Sequence, residues 1–572
     1  VETPEDALSG ALDIIAEEIS DDAGIRRRLR VIALSQGVVV SRAAKPDEDS
    51  VYSQYYDYRE PAAKIAGHRV LAIDRGEREE FLKVSLELDQ DKAMNIVNSV
   101  ALKGPSPCYE AVSEAAQDAY TRLIFPSVER ELRSTLSENA QEAAIKVFSV
   151  NLRNLLMQPP VKGKVAMGLD PGYRTGCKVA VVDATGRVLD TGVIYPTHSH
   201  SRVQEAKALV SRMIQKYQVE VIAIGNGTAS KETEMFTAEV LSNLPQQDKE
   251  RCAYMVVSEA GASVYSASKL AAEEFPQFDL TLRSAVSIAR RLQDPLAELV
   301  KIDPKAIGVG QYQHDMPKKR LDEALGGVVE DCVNNVGVDL NTASPSLLER
   351  ISGLSAAVSK NIVKYREENG AFTSRNELKQ VNKLGPKAFV QCAGFLRVPE
   401  SKNVLDNTGV HPESYGAAKE LLKLCGFGED DVKNGSLSGL ADKVAALGEE
   451  SVAQQIGVGV PTLQDIVKEL LKPGRDPRDE LPPPLLRTDI LELKDLKPGM
   501  ELTGTVRNVI DFGAFVDIGV HQDGLVHISQ ICNKYIKHPS EVLKVGDIVK
   551  VWVLNADPVK KRIGLTMKEP KQ

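Results

Sequence analysis

Apolar positions recur every three or four residues through 7–19 and again through 111–157, the spacing of helices that bury one face. On that pattern residues 1–160 form a mainly helical region. Within it lies a tyrosine cluster, Tyr52, Tyr55, Tyr56 and Tyr58, read as rings packed against helices. The run Gly67-His-Arg-Val-Leu-Ala-Ile-Asp-Arg-Gly-Glu77 follows. Pro159, Pro160 and Gly163 break the helical spacing and mark a boundary. From 161 to 336 two-residue alternation and helical spacing take turns. Strands are predicted at 165–170, 177–183, 187–195, 219–224 and 253–257, with helices at 202–217, 231–241 and on to 336. That order predicts a mixed sheet with helices on its faces. Residues 337–400 read as short helices joined by glycine turns, and 401–472 as a helical spacer. Residues 473–489, with Pro-Gly and Pro-Pro-Pro, read as a stiff, extended linker. Residues 490–572 switch to short alternating strands, the size of a small barrel. The fold class is a multidomain α+β chain.

The barrel pattern has a chemical consequence. Ala514, Val516 and Ile518 point one way, and Phe515 and Asp517 the other; a phenylalanine that shares a face with an aspartate is read as facing solvent. Phe512 precedes it across Gly513, where the chain bends. Val526 and Ile528 turn inward, and His527 outward. Phe512, Phe515 and His527 then form one exposed platform among Lys and Arg. That suits single strands, because every base offers a π-face and the cations meet the phosphates. The bland alternative, rings closing one end of the barrel, leaves three aromatic groups on the polar side unexplained. Trp552 alternates away from Val549, Val551 and Val553, and its place is left open.

Length and charge sharpen this. A chain of 572 residues is too long for one core. Its net charge of −9 argues against attraction of nucleic acid by the whole surface, but the sign is uneven. Residues 339–398 hold nine Lys/Arg against five Asp/Glu, and 494–572 twelve against nine. Two basic modules on an acidic scaffold fit local contact. The seven cysteines form no CxxC pair, which points to reduced thiols in a cytoplasm rather than a zinc module. No apolar run is long enough to cross a bilayer, so no membrane partner is expected. No GxxxxGK[ST] loop is present, which removes an ATP-driven motor. The chain starts at Val1, and an upstream segment is expected in the natural protein.

The run Gly504-Thr-Val-Arg-Asn-Val-Ile-Asp-Phe-Gly-Ala-Phe-Val-Asp-Ile-Gly519 with Asp523-Gly-Leu-Val-His-Ile-Ser529 resembles the S-one RNA-binding domain, an OB-fold β-barrel. The resemblance implies RNA contacts at Phe512, Phe515, His527 and Asp557, and at a basic position that falls on Arg562 or Lys561. The turns Gly353-Leu354-Ser355 and Lys383-Leu384-Gly385 resemble a tandem helix-hairpin-helix, which implies backbone N–H groups that hold a phosphate without reading bases. The family turn has two glycines around an apolar residue, and each turn here keeps one. A purely structural connector is the alternative.

Gly168-Leu-Asp-Pro-Gly-Tyr-Arg-Thr-Gly176 resembles the YqgF/RuvC-like branch of the ribonuclease-H fold, where acids from separated strands and a late helix hold divalent metal for phosphodiester hydrolysis. The resemblance implies catalytic acids at Asp170, which would also be a metal ligand, at Glu259, and at Asp331 with Asp322 as its rival. A resolvase would put a carboxylate near Asn226; an amide stands there and cannot balance metal charge.

In this order the modules resemble the Tex family of bacterial transcription accessory proteins. That implies a cytoplasmic factor binding single-stranded RNA, with DNA and the transcription machinery as further partners. Two functions of different class follow: a non-enzymatic scaffold that needs no cofactor, and a structure-selective nuclease using Mg²⁺ or Mn²⁺. Asn226 favours the scaffold.

Overall fold

The structure, a computed structural model, describes residues 3–569 apart from 309, 311, 472–475, 488–495, 511, 521–522, 537–538, 545 and 558–561. The chain divides into two compact units, Val1–Val150 with Gly310–Ala324, and Asn151–Val309 with Leu325–Gln572. Among the described residues no helix is long and apolar enough to cross a membrane.

The first unit opens with helix Pro4–Asp21, begun by a capping box between Thr3 and Asp6 and by proline in its first turn. Its Ala16 and Ile19 share a core with Ile25, Leu29, Tyr120 and Ile124. Three strands that the helical reading did not assign lie here: β1 (Val38–Ala43), β2 (Asp57–Pro61) and β3 (Leu82–Glu87), antiparallel in the order β2-β1-β3. Each is only five or six residues long and flanked by helices, so its two-residue period is easily lost. Tyr52 and Tyr55 are buried against Ala72, Ile73 and Leu82. The run from Gly67 lies in helix Gly67–Arg78. Its charges are engaged within the unit: Arg75 Nε donates to Asp315 at 2.8 Å, and Glu77 and Asp74 face Arg133.

In the second unit, β4 (Ala166–Asp170) is the middle of five strands. β5 (Cys177–Val182) and β6 (Val188–Ile194) run antiparallel on one side. β7 (Val221–Gly225) and β8 (Ala253–Val257) run parallel on the other, giving the order β6-β5-β4-β7-β8. Both faces are covered. Met167 and Leu169 pack with Val210, Ile214 and Phe236, while Ala166 packs with Ala285 and Ala289 of helix Leu280–Gln293. Side-chain alternation therefore turns Asp170 toward that helix. Gly168 permits the close approach: a Cβ there would lie 2.1 Å from the Ala285 carbonyl oxygen.

Helical hairpins follow, closed by a short parallel pair, β9 (Val338–Asp339) and β10 (Leu396–Arg397). Residues 403–470 are helical around Leu405, Leu421, Leu440 and Leu463. Arg375 is buried between these two parts and donates to the carbonyls of Leu396 at 2.6 Å and Val410 at 2.9 Å.

The segment expected to be a stiff linker is docked instead. Residues 473–475 and 488–489 of it lie outside the described residues, but Asp476 and Arg478 are both buried. Arg478 donates to Asp294 at 2.7 Å and to Asp476 at 3.0 Å, and Lys162 reaches Asp476 at 2.7 Å. Burial pushes the Asp476 carboxyl up, yet these two cations hold it at about 2. Further on, the backbone of Arg487 pairs with Tyr254 in both directions, at 2.7 and 2.8 Å, at the edge of β8. Proline content predicts stiffness but not what a segment docks against.

The last module is a closed barrel of β11 (Glu501–Ile510), β12 (Gly513–Asp517), β13 (Gly524–His527), β14 (Ile548–Asp557) and β15 (Arg562–Thr566), in the order β11-β12-β13-β15-β14. Val506, Ala514, Val516, Val526, Val551 and Leu565 fill it.

Candidate nucleic-acid interface

The register of the barrel assembles its outer face. Residues directly opposed on neighbouring strands share a face. Phe515 stands opposite Asn508 and Leu525; Leu525 stands opposite Gly564, and Gly564 opposite Asn555. One row thus crosses all five strands. Two residues along β13 from Leu525, His527 stands opposite Gly513, next to Phe512, whose carbonyl accepts the Ile528 N–H at 2.8 Å. Two residues along β14 and β15 from Asn555 and Gly564, Asp557 stands opposite Arg562. Phe512, His527 and Arg562 are exposed, Phe512 by 53%, while Phe515 and Asp557 are half-buried. Phe515, His527, Asp557 and Arg562, which the S-one resemblance implies, therefore share the outer face of the barrel, and Phe512 is exposed beside them. Lys561, the rival of Arg562, lies outside the described residues. Trp552 pairs with Thr566 and is half-buried.

One premise of the sequence reading was wrong in detail. Asp517 shares a face with Phe515 but is not solvated. Its side chain is 13% exposed, and it accepts from Arg487 at 3.0 Å and Arg507 at 2.7 Å. Burial raises its carboxyl, and these two cations bring it below the usual aspartate range.

The two hairpin turns differ in sequence and agree in backbone. Gly353 and Lys383 both take left-handed φ angles, +84° and +66°. Leu354 and Leu384 are both buried, and Ser355 and Gly385 are both N-caps, of helices Ala356–Asn369 and Pro386–Cys392. The second turn thus holds a lysine where glycine is at no cost, which stores strain. Asn361 Nδ2 donates to the Asn382 carbonyl at 2.8 Å and ties the two together.

Two further turns of this kind lie in the segment that helical spacing marks as a spacer. Gly426-Phe427-Gly428 and Gly457-Val458-Gly459 each carry the full two-glycine pattern, with φ of +72° and +73° at the first glycine. Gly428 and Gly459 cap helices Glu429–Lys433 and Val460–Leu470. The first of these helices opens on Glu429, Asp430 and Asp431, which repel a phosphate; the second has no acid in its first turn. The glycine spacing was the signal, hidden by the stronger helical periodicity.

The acids of the mixed-sheet domain are only partly brought together. Asp170 ends β4 beside Glu259, which follows β8. Burial raises the Asp170 carboxyl to about 6; a hydrogen bond from Ser284 and the charges of Lys178 and Arg291 oppose this, and the charge of Glu259 adds to it. Asn226 has a structural role here, accepting the Glu259 backbone N–H at 3.0 Å. Gly225 and Gly227 make room for the Glu259 carboxylate: a Cβ on either would stand 2.6 or 1.7 Å from its oxygens. Asp331, the expected third acid, is exposed on helix Lys318–Val336 and pairs with Arg153. Asp322 is exposed on the same helix.

The helix that crosses β4 is Leu280–Gln293. Ser284, Ile288 and Arg291 lie on one face of it at helical spacing. That face carries a serine and an arginine, and the helix holds no acid. Among the described residues no three of His, Cys, Asp and Glu converge on a point that could hold a metal ion. A divalent cation does not fit this donor set.

Five family models match the chain: Tex central region-like over 1–148, Tex protein YqgF-like domain over 164–293, helix-hairpin-helix motif over 333–397, HHH domain over 403–478, and S1 (S-one) RNA binding domain over 495–568. Among full-length relatives, the Bacillus subtilis protein YdcI is 53% identical over 99% of this chain and 78% of its own. A Neisseria gonorrhoeae protein called transcriptional accessory protein Tex is 46% identical over 98% of this chain and 74% of its own. The Bordetella pertussis protein called tex is 44% identical over 98% and 72%.

Proposed function

This chain belongs to the Tex family, and from that premise we propose that it is a transcription accessory factor that holds single-stranded RNA on the outer face of its barrel. The hairpins hold phosphates of RNA or DNA without reading bases. The mixed-sheet domain serves as a scaffold between them. The factor works in the cytoplasm beside the transcription machinery, a reading supported by the names of its relatives and by seven cysteines that form no disulfide. It needs no cofactor.

The row Asn508, Phe515, Leu525, Gly564 and Asn555, with His527 and Phe512 beside it on β12 and β13 and Arg562 and Asp557 beside it on β15 and β14, carries this reading. It offers rings to bases and a cation to phosphate on a surface broad enough for several nucleotides. Nuclease activity is not favoured, because Asn226 braces Glu259 and the late helix brings no acid.

The test is a titration of the full chain with single-stranded RNA, single-stranded DNA and duplex of equal length in Mg²⁺. The expected order is single-stranded RNA tightest and duplex weakest, with every strand intact afterwards. Equal affinity for duplex, or cleavage abolished by Asp170→Asn, would contradict it.

A further inference from the structure

Arg291 lies on helix Leu280–Gln293, which packs on β4, at helical spacing from Ser284 and Ile288. It is 4% exposed, yet among the described residues no carboxylate pairs with it in a salt bridge. Its Nη1 donates to the carbonyls of Ser258 and Ala260, both at 2.8 Å, so the guanidinium straddles the backbone of Glu259. Among the described residues its buried Nε and Nη2 have no hydrogen-bond partner, nor has the buried Oε2 of Glu259. The charges acting on the guanidinium are carboxylates: Glu298, Glu259 and Asp170. Glu298 is itself held by Lys301 at 2.9 Å, which leaves Arg291 to act on Asp170 and Glu259 together; the buried Lys178, whose Nζ donates to the Gly176 carbonyl, adds its charge at Asp170 alone.

A guanidinium cannot lose its proton in a protein, so its charge is permanent. Two half-buried acids side by side, one with a carboxylate oxygen fully buried, are stabilised by a counter-charge. In a metal nuclease the divalent ion supplies it. Here it is built into the chain, and a second cation entering the site would meet an unscreened like charge.

We propose that Arg291 is the resident cation of the Asp170–Glu259 pair, and that removing it turns this pair into a divalent-metal site. The inference goes beyond RNA binding and stands apart from it: its failure leaves the barrel face untouched.

The full chain would be titrated with Mn²⁺ and followed by electron paramagnetic resonance of the free ion, with melting curves in parallel. Wild type should show no Mn²⁺ site that depends on Asp170. Arg291→Met should gain one site, at least about tenfold tighter than any in wild type, and should melt below wild type until Mn²⁺ restores it. The triple variant Arg291→Met/Asp170→Asn/Glu259→Gln should lose the site and need no metal, since the uncompensated charge is gone with its partner. Wild type that already binds Mn²⁺ through Asp170 would overturn the proposal without any reliance on how Arg291→Met folds. So would an Arg291→Met chain that gains no site, or that Mn²⁺ fails to restore, and so would a site that persists in the triple variant.

Discussion

Arg487 donates to Asp517 at 3.0 Å and lies 3.7 Å from Glu234, so one guanidinium joins a barrel strand to a helix of the mixed-sheet domain. Burial raises the Glu234 carboxyl, and Arg487 is the main charge opposing it. Arg487→Ala leaves two poorly solvated carboxylates facing each other. Removing one partner of a buried pair costs several kcal/mol, and Arg507 still serves Asp517, so the expected loss is about 2–3 kcal/mol. Melting curves at pH 7 check it, and Arg487→Ala/Glu234→Gln should recover part of the loss. An unchanged melting temperature would mean that the barrel is not held here.

A second prediction concerns pH. The Asp170 carboxyl is raised to about 6 from an unfolded value near 3.8. Between these values the folded chain binds the extra proton, so stability falls as pH rises through that window, and the cost is fully present above about 6. Asp170→Asn should therefore stabilise the domain at pH 7.5 by on the order of 1–3 kcal/mol and do little at pH 4. Denaturant melts of wild type and variant at the two values decide it. A variant equally or less stable at pH 7.5 would contradict the burial account.

A third concerns the hairpins. Lys383 and Lys387 are exposed beside the second turn. Lys383→Glu/Lys387→Glu should lower the slope of log affinity against log salt by about 1–2 and leave base preference unchanged. An unchanged slope would make residues 337–400 a connector only.

Much of this was legible in the sequence, for physical reasons that also mark where it stopped. The Phe515 strand could be read because two-residue alternation reports which face is buried. The S-one motif then named its neighbours. The late helix could not be chosen by pattern, since Leu280–Gln293 and Lys318–Val336 are both amphipathic and the second offers aspartates. What decides is Gly168, whose missing Cβ lets the first helix cross β4, and no local spacing reports that. The docking of Asp476 and Arg487 depends on partners such as Asp294 and Tyr254 that lie far away in sequence. The turns at Gly426 and Gly457 were readable from their glycines and were masked by the stronger helical period around them.

The central claim is that Phe512 and Phe515 present their rings to RNA rather than to the core. Ala514, Val516 and Val526 fill the barrel, so the two phenylalanines can be removed without emptying it. Stacking is worth on the order of 1–3 kcal/mol per base by alanine substitution. The decisive measurement is a titration of labelled single-stranded RNA against wild type and Phe512→Ala/Phe515→Ala, with melting curves alongside. The account predicts a loss of affinity of at least about tenfold, since about 1.4 kcal/mol is one factor of ten, at an almost unchanged melting temperature. Full affinity in the folded double variant would contradict it.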